Sequence, residues 1–242
     1  MRTFLCFCAA LFWALASAPP VHAAESGALS IMVYGDSLGD GVWEGLYLLL
    51  RYDKQVRVQR HSQLGAGLTR PDFDAWLKGL KSDLEKTPPD VAVIMFGAND
   101  QQGIRDENRI GYSFASEGWQ QVYGGRVDAV MTEFRDRHVP TVWLGLPIMR
   151  KTEYNSGARV LDSIFQAAAE RNHVTFVPLA DAFTDAAGNF VVYMHDADQR
   201  NRQVRAEDGV HFTTYGYQLI AEKVWPKIQE QREAARASAA TP

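Results

Sequence analysis

The chain alternates short apolar runs with stretches that carry an apolar residue every three or four positions. Leu29–Tyr34 is apolar except for Ser30 and runs into Gly-Asp-Ser. Gln55–Gln59 alternates, with Val56 and Val58 on one face. Asp90–Phe96 is the clearest run, and Val139–Gly145 and Val174–Val177 follow. Runs of this kind and length predict parallel strands covered on both faces. The intervals carry helical periods. Leu77, Leu80 and Leu84 share a face over Asp74–Leu84, and Val127, Val130, Met131 and Phe134 share one over Val127–Arg135. Val160, Leu161, Ile164, Phe165 and Ala168 do so over Val160–Ala169. A last helix is expected from Thr214 through Leu219, Ile220 and Val224, with Pro226 kinking or interrupting it. The Ala-rich, polar end, 233–242, is expected to fray into a disordered tail. Strands alternating with helices, with no repeat and no linker, predict one α/β domain over 24–232. Its expected form is a three-layer α/β/α sandwich around a five-stranded parallel sheet.

The start of the chain follows another pattern. Arg2 precedes an apolar run from Phe4 to Ala16, and Ala-Pro-Pro-Val-His-Ala closes at Ala23. A charged start, a short apolar stretch and a small-residue end make a secretory signal peptide over 1–23. The run is too short to span a bilayer, which takes about 20 apolar residues. Cleavage is expected after Ala23, with Ala24 as the near alternative, leaving a periplasmic or secreted protein without stable membrane insertion.

Composition narrows the chemistry. With 46% hydrophobic and 22% charged residues, the chain has enough apolar material for a sizeable core. The net charge of −4 and the lack of basic runs disfavour nucleic acid, and no nucleic-acid partner is expected. Both cysteines, Cys6 and Cys8, fall in the leader, so the mature chain would have no disulfide or thiol chemistry. No Cys/His cluster has metal-ligand spacing, and neither metal nor cofactor is expected.

The polar clusters follow predicted strands. Gly35-Asp-Ser-Leu-Gly-Asp-Gly41 follows the first, Gly65-Ala-Gly-Leu-Thr69 the second and Gly97-Ala-Asn-Asp100 the third. Asp208-Gly-Val-His211 lies beyond the fifth, just before the last helix. Ligands of open α/β sheets bind at the carboxyl ends of the strands, so these clusters are expected to meet there. A serine hydroxyl needs a base, and Ser37 stands where a strand turns into a helix. His211 is the natural base, and Asp208 can accept from its Nδ1–H. The amides of Ser37 and Gly67 and the side chain of Asn99 would serve a developing oxyanion. Taken singly, each cluster is also an ordinary turn or helix cap. Asp36, Asp40 and Asp100 read as structural acceptors for turn amides. His61, His138, His173 and His195 read as surface or loop residues.

Together and in this order, the clusters resemble those of the SGNH/GDSL hydrolase superfamily. Gly35-Asp36-Ser37-Leu38 is similar to its nucleophile block, Gly97-Ala98-Asn99-Asp100 to its Gly-x-Asn-Asp block, and Asp208-x-x-His211 to its last block. The second block is a looser match that favours Gly67 and leaves Gly65 open. The resemblance implies the flavodoxin-like SGNH hydrolase fold, a Ser37–His211–Asp208 triad, and an oxyanion hole of Ser37, Gly67 and Asn99. Gly35-x-Ser37-x-Gly39 also fits the α/β-hydrolase elbow, but there several strands precede the serine and the acid lies far from the histidine. No P-loop lysine follows the segment either.

Three long loops, Gln101–Glu117, Ile148–Ser156 and Thr184–Glu207, are expected at the active edge. On or beside them stand Arg105, Arg109, Tyr112, Trp119, Arg150, Lys151, Tyr154, Arg200, Arg202 and Arg205. Such side chains suit a polar saccharide as well as a solvated rim. Arg105, Tyr112, Trp119 and Tyr154 are the candidate substrate residues. The expected activity is cleavage or transfer of a short acyl ester on an envelope or extracellular glycan. The competing class is a non-catalytic glycan-binding or envelope assembly protein on the same fold. Labelling by a serine-reactive fluorophosphonate separates the two.

Overall fold

The computed structural model describes residues 27–240. The leader expected over 1–23 lies outside the described residues.

Five parallel strands form the main sheet: β1 (Leu29–Gly35), β2 (Val56–Ser62), β3 (Val91–Met95), β6 (Thr141–Leu144) and β7 (Thr175–Val177). Their spatial order is β2-β1-β3-β6-β7, and the register aligns Ile31 with both Val58 and Val91. All five residues of β3 are buried, as expected of a central strand covered on both faces. Helices α1 (Ser37–Leu50) and α5 (Thr214–Ala240) cover one face. Helices α2 (Phe73–Lys86), α3 (Glu117–Arg135) and α4 (Thr152–Asn172) cover the other. This is the expected three-layer α/β/α sandwich.

Close approach of α1 to α5 needs two glycines. A Cβ on Gly41 would lie 1.9 Å from the Tyr217 ring, and one on Gly45 would lie 2.2 Å from the Tyr217 carbonyl oxygen. That contact fixes the α5 end that follows His211 against the helix that begins at Ser37.

Several boundaries differ from the sequence reading. Helix α3 begins at Glu117, ten residues before the expected start, because it continues through Gly124-Gly125. Helix α4 takes up half of the loop expected at 148–156. Two small antiparallel hairpins stand inside the other expected loops, β4 (Ile104–Arg105) with β5 (Gly111–Tyr112), and β8 (Tyr193–His195) with β9 (Asn201–Gln203). Pro226 lies within α5 without interrupting it, and the expected disordered tail is helical to Ala240. The buried Val224 and Ile228 hold the helix on both sides of the proline, and the alanines beyond are the strongest helix formers. No helix among the described residues is long and apolar enough to cross a membrane.

Candidate active site

The strand ends place the polar clusters together. Gly35 closes β1 at φ +148°, and a Cβ there would lie 2.0 Å from the Met95 carbonyl oxygen, so glycine is required for the turn. Asp36 then caps α1, its Oδ1 accepting from the Leu38 amide at 2.8 Å. Its Oδ2 accepts from the Gly97 and Ala98 amides at 2.9 and 2.8 Å. One buried carboxylate thus ties the turn after β1 to the turn after β3. Burial pushes the Asp36 carboxyl up to about 7 against those amide bonds, and the nearby charge of Asp100 adds to the rise.

Ser37 is the first residue of α1, at the positive end of that helix. Its Oγ lies 2.7 Å from His211 Nε2, and His211 Nδ1 lies 2.7 Å from Asp208 Oδ2. With the imidazole proton on Nδ1, the ring donates to Asp208 and accepts from the serine hydroxyl. Asp208 Oδ1 accepts from the Val210 and His211 amides at 2.8 and 2.9 Å. Burial acts to raise the Asp208 carboxyl. The bonds from Val210 and from the His211 ring and amide outweigh it and hold the group down at about 2. It is therefore anionic at any working pH.

Asp100 plays the tying role on the other side. Fully buried, it accepts from the Thr69 amide at 3.1 Å, the Thr69 hydroxyl at 2.9 Å and the Tyr123 hydroxyl at 2.8 Å. Burial pushes its carboxyl upward. Asn99 Nδ2 donates to the Ala66 carbonyl at 2.8 Å, so one of its two amide hydrogens is left for another acceptor. Between them these contacts lay the Ala66–Thr69 segment against Asn99 and Asp100. A Cβ on Gly67 would lie 2.4 Å from Asp100 Oδ1, whereas Gly65 sits in an open turn at φ +72° with nothing within 4 Å. Of the two glycines, Gly67 is the one beside Asn99.

The expected structural aspartates divide. Asp36 and Asp100 accept from turn amides, while Asp40 accepts from the Arg60 and Ser62 side chains of β2. His61 is half-buried against the Tyr34 ring, at 5.1 Å, and burial lowers its pKa. Among the described residues no group of His, Cys, Asp and Glu could hold a metal ion.

The four candidate substrate residues do not form one surface. Trp119 is a correction: it is fully buried, stacked on Tyr123 at 4.5 Å, with its indole N–H donating to the Gln102 carbonyl. It lies in the core because α3 extends through it, one turn ahead of Tyr123 and two ahead of Val127. Tyr154 is half-buried, and its hydroxyl donates to the Ala98 carbonyl at 2.9 Å, bracing the turn that carries Asn99. Arg105 and Tyr112 face solvent in part on the β4–β5 hairpin. Arg105 donates to the Arg109 carbonyl at 3.3 Å, and Tyr112 packs over Gly118. Arg205, read from the sequence as a rim residue, is wholly buried.

A concavity of about 820 Å³ lies at the opposite edge of the sheet, walled by Asp90, Arg135, His138, Pro140, His173 and Arg232. It shares no residue with the serine site. A cavity of about 180 Å³ does adjoin the site, walled by Ala66, Gly67, Phe73, Ala75, Trp76 and Phe96.

The family model described as Protein of unknown function (DUF459) matches residues 30–227. No curated protein matches the sequence. Among solved structures, the acetyl xylan esterase AlAXEase is 18% identical with a TM-score of 0.58, over 82% of this chain and 99% of its own. A GDSL-like lipase from Bacteroides thetaiotaomicron is 14% identical with a TM-score of 0.58, over 83% of this chain and 87% of its own. A mutant of Axe2, a Geobacillus acetyl-xylooligosaccharide esterase, is 17% identical with a TM-score of 0.58, over 84% and 95%. The fold shared with these proteins is that of the SGNH/GDSL hydrolases.

Proposed function

The chain belongs to the DUF459 family, and we propose that it is an exported serine esterase working through an acyl-enzyme on Ser37. The observation that carries this reading is the unbroken chain Ser37 Oγ, His211 ring, Asp208 carboxylate, with both contacts at 2.7 Å. His211 Nε2 takes the hydroxyl proton as Oγ bonds to the ester carbonyl carbon. The oxyanion that forms is met by the amides of Ser37 and Gly67 and by Asn99 Nδ2. Collapse breaks the ester bond, and the imidazolium gives its proton to the leaving alcohol. A water then repeats the sequence: His211 takes its proton, its oxygen bonds to the acyl carbon, and Ser37 leaves reprotonated with the acid released. The test is a fluorophosphonate probe with mass analysis. A phosphonylated peptide containing Ser37, absent after boiling, is expected. An unlabelled wild-type protein would overturn the reading in favour of a binding role.

The substrate class is a short acyl ester on a polar glycan. Two observations support it. The cavity beside Gly67 is small, about 180 Å³, with Phe73, Trp76 and Phe96 among its walls. Two proteins of similar fold are named for acetylated xylan or xylooligosaccharide. A buried methylene gains about 0.8 kcal/mol only where the pocket has room for it. In a series of nitrophenyl esters, kcat/KM is therefore expected to peak at short chains and fall well before about eight carbons. A steady climb through that length, with an acetylated polysaccharide untouched, would reverse the assignment.

Export follows from the leader pattern at 1–23. N-terminal sequencing of the protein recovered outside the cytoplasm is expected to start at Ala24. Met1 retained on a membrane-bound form would overturn this.

A further inference from the structure

Arg205 is wholly buried, yet among the described residues no carboxylate stands within ion-pair distance of it. Its guanidinium is spent instead on backbone carbonyls. Nη1 donates to Ile148 at 2.7 Å, and Nη2 donates to Val210 at 2.9 Å and Gly209 at 3.4 Å. Nε donates to His211 at 3.3 Å. The rings of Phe212 and Phe190 cover the cation at 4.2 and 4.7 Å. Burial lowers its pKa to about 10, so it stays charged at neutral pH.

We propose that Arg205 is the positioning residue that sets where His211 stands relative to Ser37, an inference that rests on the esterase reading above. The loop from Asp208 to His211 is gripped from two sides. On the outside, the Asp208 carboxylate takes the amides of Val210 and His211. On the inside, Arg205 takes the carbonyls of Gly209, Val210 and His211. Successive peptide planes are thereby held at both ends, and the imidazole leaves the backbone in one direction.

The two grips are not equal. The Asp208 side chain is 51% exposed, and an exposed pair holds geometry weakly because water competes for it. The guanidinium is dry, planar and forked, and its bonds to carbonyls are charge-assisted. It also spans elements. Ile148 follows β6, so Arg205 ties the loop carrying His211 to the main sheet, from whose β1 end Ser37 departs. Arg150 adds a smaller clamp, its Nη1 donating to the Glu207 carbonyl at 2.7 Å and its amide to the Gly209 carbonyl at 3.1 Å. A buried cation is costly to desolvate, and here the carbonyls and the more distant charge of Asp208 compensate it in place of a contacting carboxylate.

The test compares wild type, Arg205→Lys, Arg205→Met and Phe190→Leu, with Ser37→Ala as the unlabelled control. Each is taken as the monomeric fraction with native circular dichroism, so misfolding lowers yield and not rate. Two quantities are read: the rate of fluorophosphonate labelling of Ser37, and kcat and KM on nitrophenyl acetate. Lysine keeps the charge, but its donors radiate from one nitrogen and cannot span carbonyls that three guanidinium nitrogens reach. Its labelling rate and kcat are expected to fall together by about ten-fold or more, with KM little changed, because a displacement near 1 Å is costly in a proton transfer. Methionine should be slower still. Phe190→Leu uncovers the guanidinium and should lower both rates a few-fold, and it decides the matter should neither Arg205 variant fold. A purely structural role predicts a lower Tm with wild-type labelling of the folded fraction, and that result overturns the proposal while leaving the esterase reading intact. Wild type that fails to label removes both.

Discussion

Ser37→Ala and His211→Ala are each expected to lower turnover of an activated acetyl ester on the order of 10⁴-fold or more, with the fold kept. Among the described residues the serine's hydroxyl makes one hydrogen bond, to His211 Nε2 at 2.7 Å, and alanine is a good residue for the first turn of a helix. The cap of α1 is supplied by Asp36 and survives the change. His211 is half-buried, and its loss leaves the loop carbonyls on Arg205 and the loop amides on Asp208. Because both residues act in one proton transfer, the double variant should be no slower than either single one. Asp208→Asn should also cost about 10⁴-fold: its Oδ1 can still accept from the Val210 and His211 amides, but its amide nitrogen then faces His211 Nδ1 and favours the tautomer that cannot take the serine proton. Kinetics on nitrophenyl acetate with parallel circular dichroism measure all four. Substantial turnover by folded Ser37→Ala protein would remove Ser37 as nucleophile.

The sheet was legible because its strands are buried on both faces. Leu29–Tyr34 and Asp90–Phe96 are apolar almost throughout, and hydrophobicity alone marks them. Ser37, Asn99, Asp208 and His211 were legible because each stands in a short polar block at the end of an apolar run, and the structure brings these blocks to one edge. Helix α1 carries no clean period in the sequence, since Gly39, Gly41 and Gly45 interrupt it. Their reason is tertiary: Tyr217 of α5 occupies the space that side chains on Gly41 and Gly45 would fill. The two hairpins are two or three residues a side, too short for any periodicity to register.

Trp119 could have been placed in the core. Trp119, Tyr123, Val127, Val130 and Phe134 form one stripe at helical spacing, and all are buried. Gly124 and Gly125 hid the continuity, because glycine weakens the expectation of a helix without forbidding it. Arg205 had no such signal. It stands in a run with Arg200 and Arg202, both exposed and paired with Asp196, and it is buried by the chain's return through Phe212 together with Phe190 and the Ile148 segment. Charge in a loop sequence reads as solvation, and a cation that binds only carbonyls leaves no acidic partner to be found.

Asn99→Ala is expected to lower kcat on the order of 100-fold while KM moves little. In the free protein Asn99 Nδ2 is bonded to the Ala66 carbonyl at 2.8 Å, which sets the amide plane before substrate arrives. Under the proposed oxyanion role, its second hydrogen is the one left to meet the charge that develops on the carbonyl oxygen. A ground-state ester carbonyl carries less charge and gains less from the same donor, so the loss falls on the transition state. Displacement of the Gly67 segment is a competing cause, since the substitution also removes the Ala66 bond. Two contacts argue against it: Asp100 holds the Thr69 amide and hydroxyl at 3.1 and 2.9 Å, independently of Asn99. Thr69→Val provides the separate measurement. It removes the hydroxyl bond to Asp100 but leaves Asn99 in place, so its kcat should stay within a few-fold of wild type. If Asn99→Ala raised KM and left kcat unchanged, Asn99 would instead be a ground-state binding residue. If Thr69→Val matched it in kcat, the position of the loop and not the donor would be what catalysis depends on.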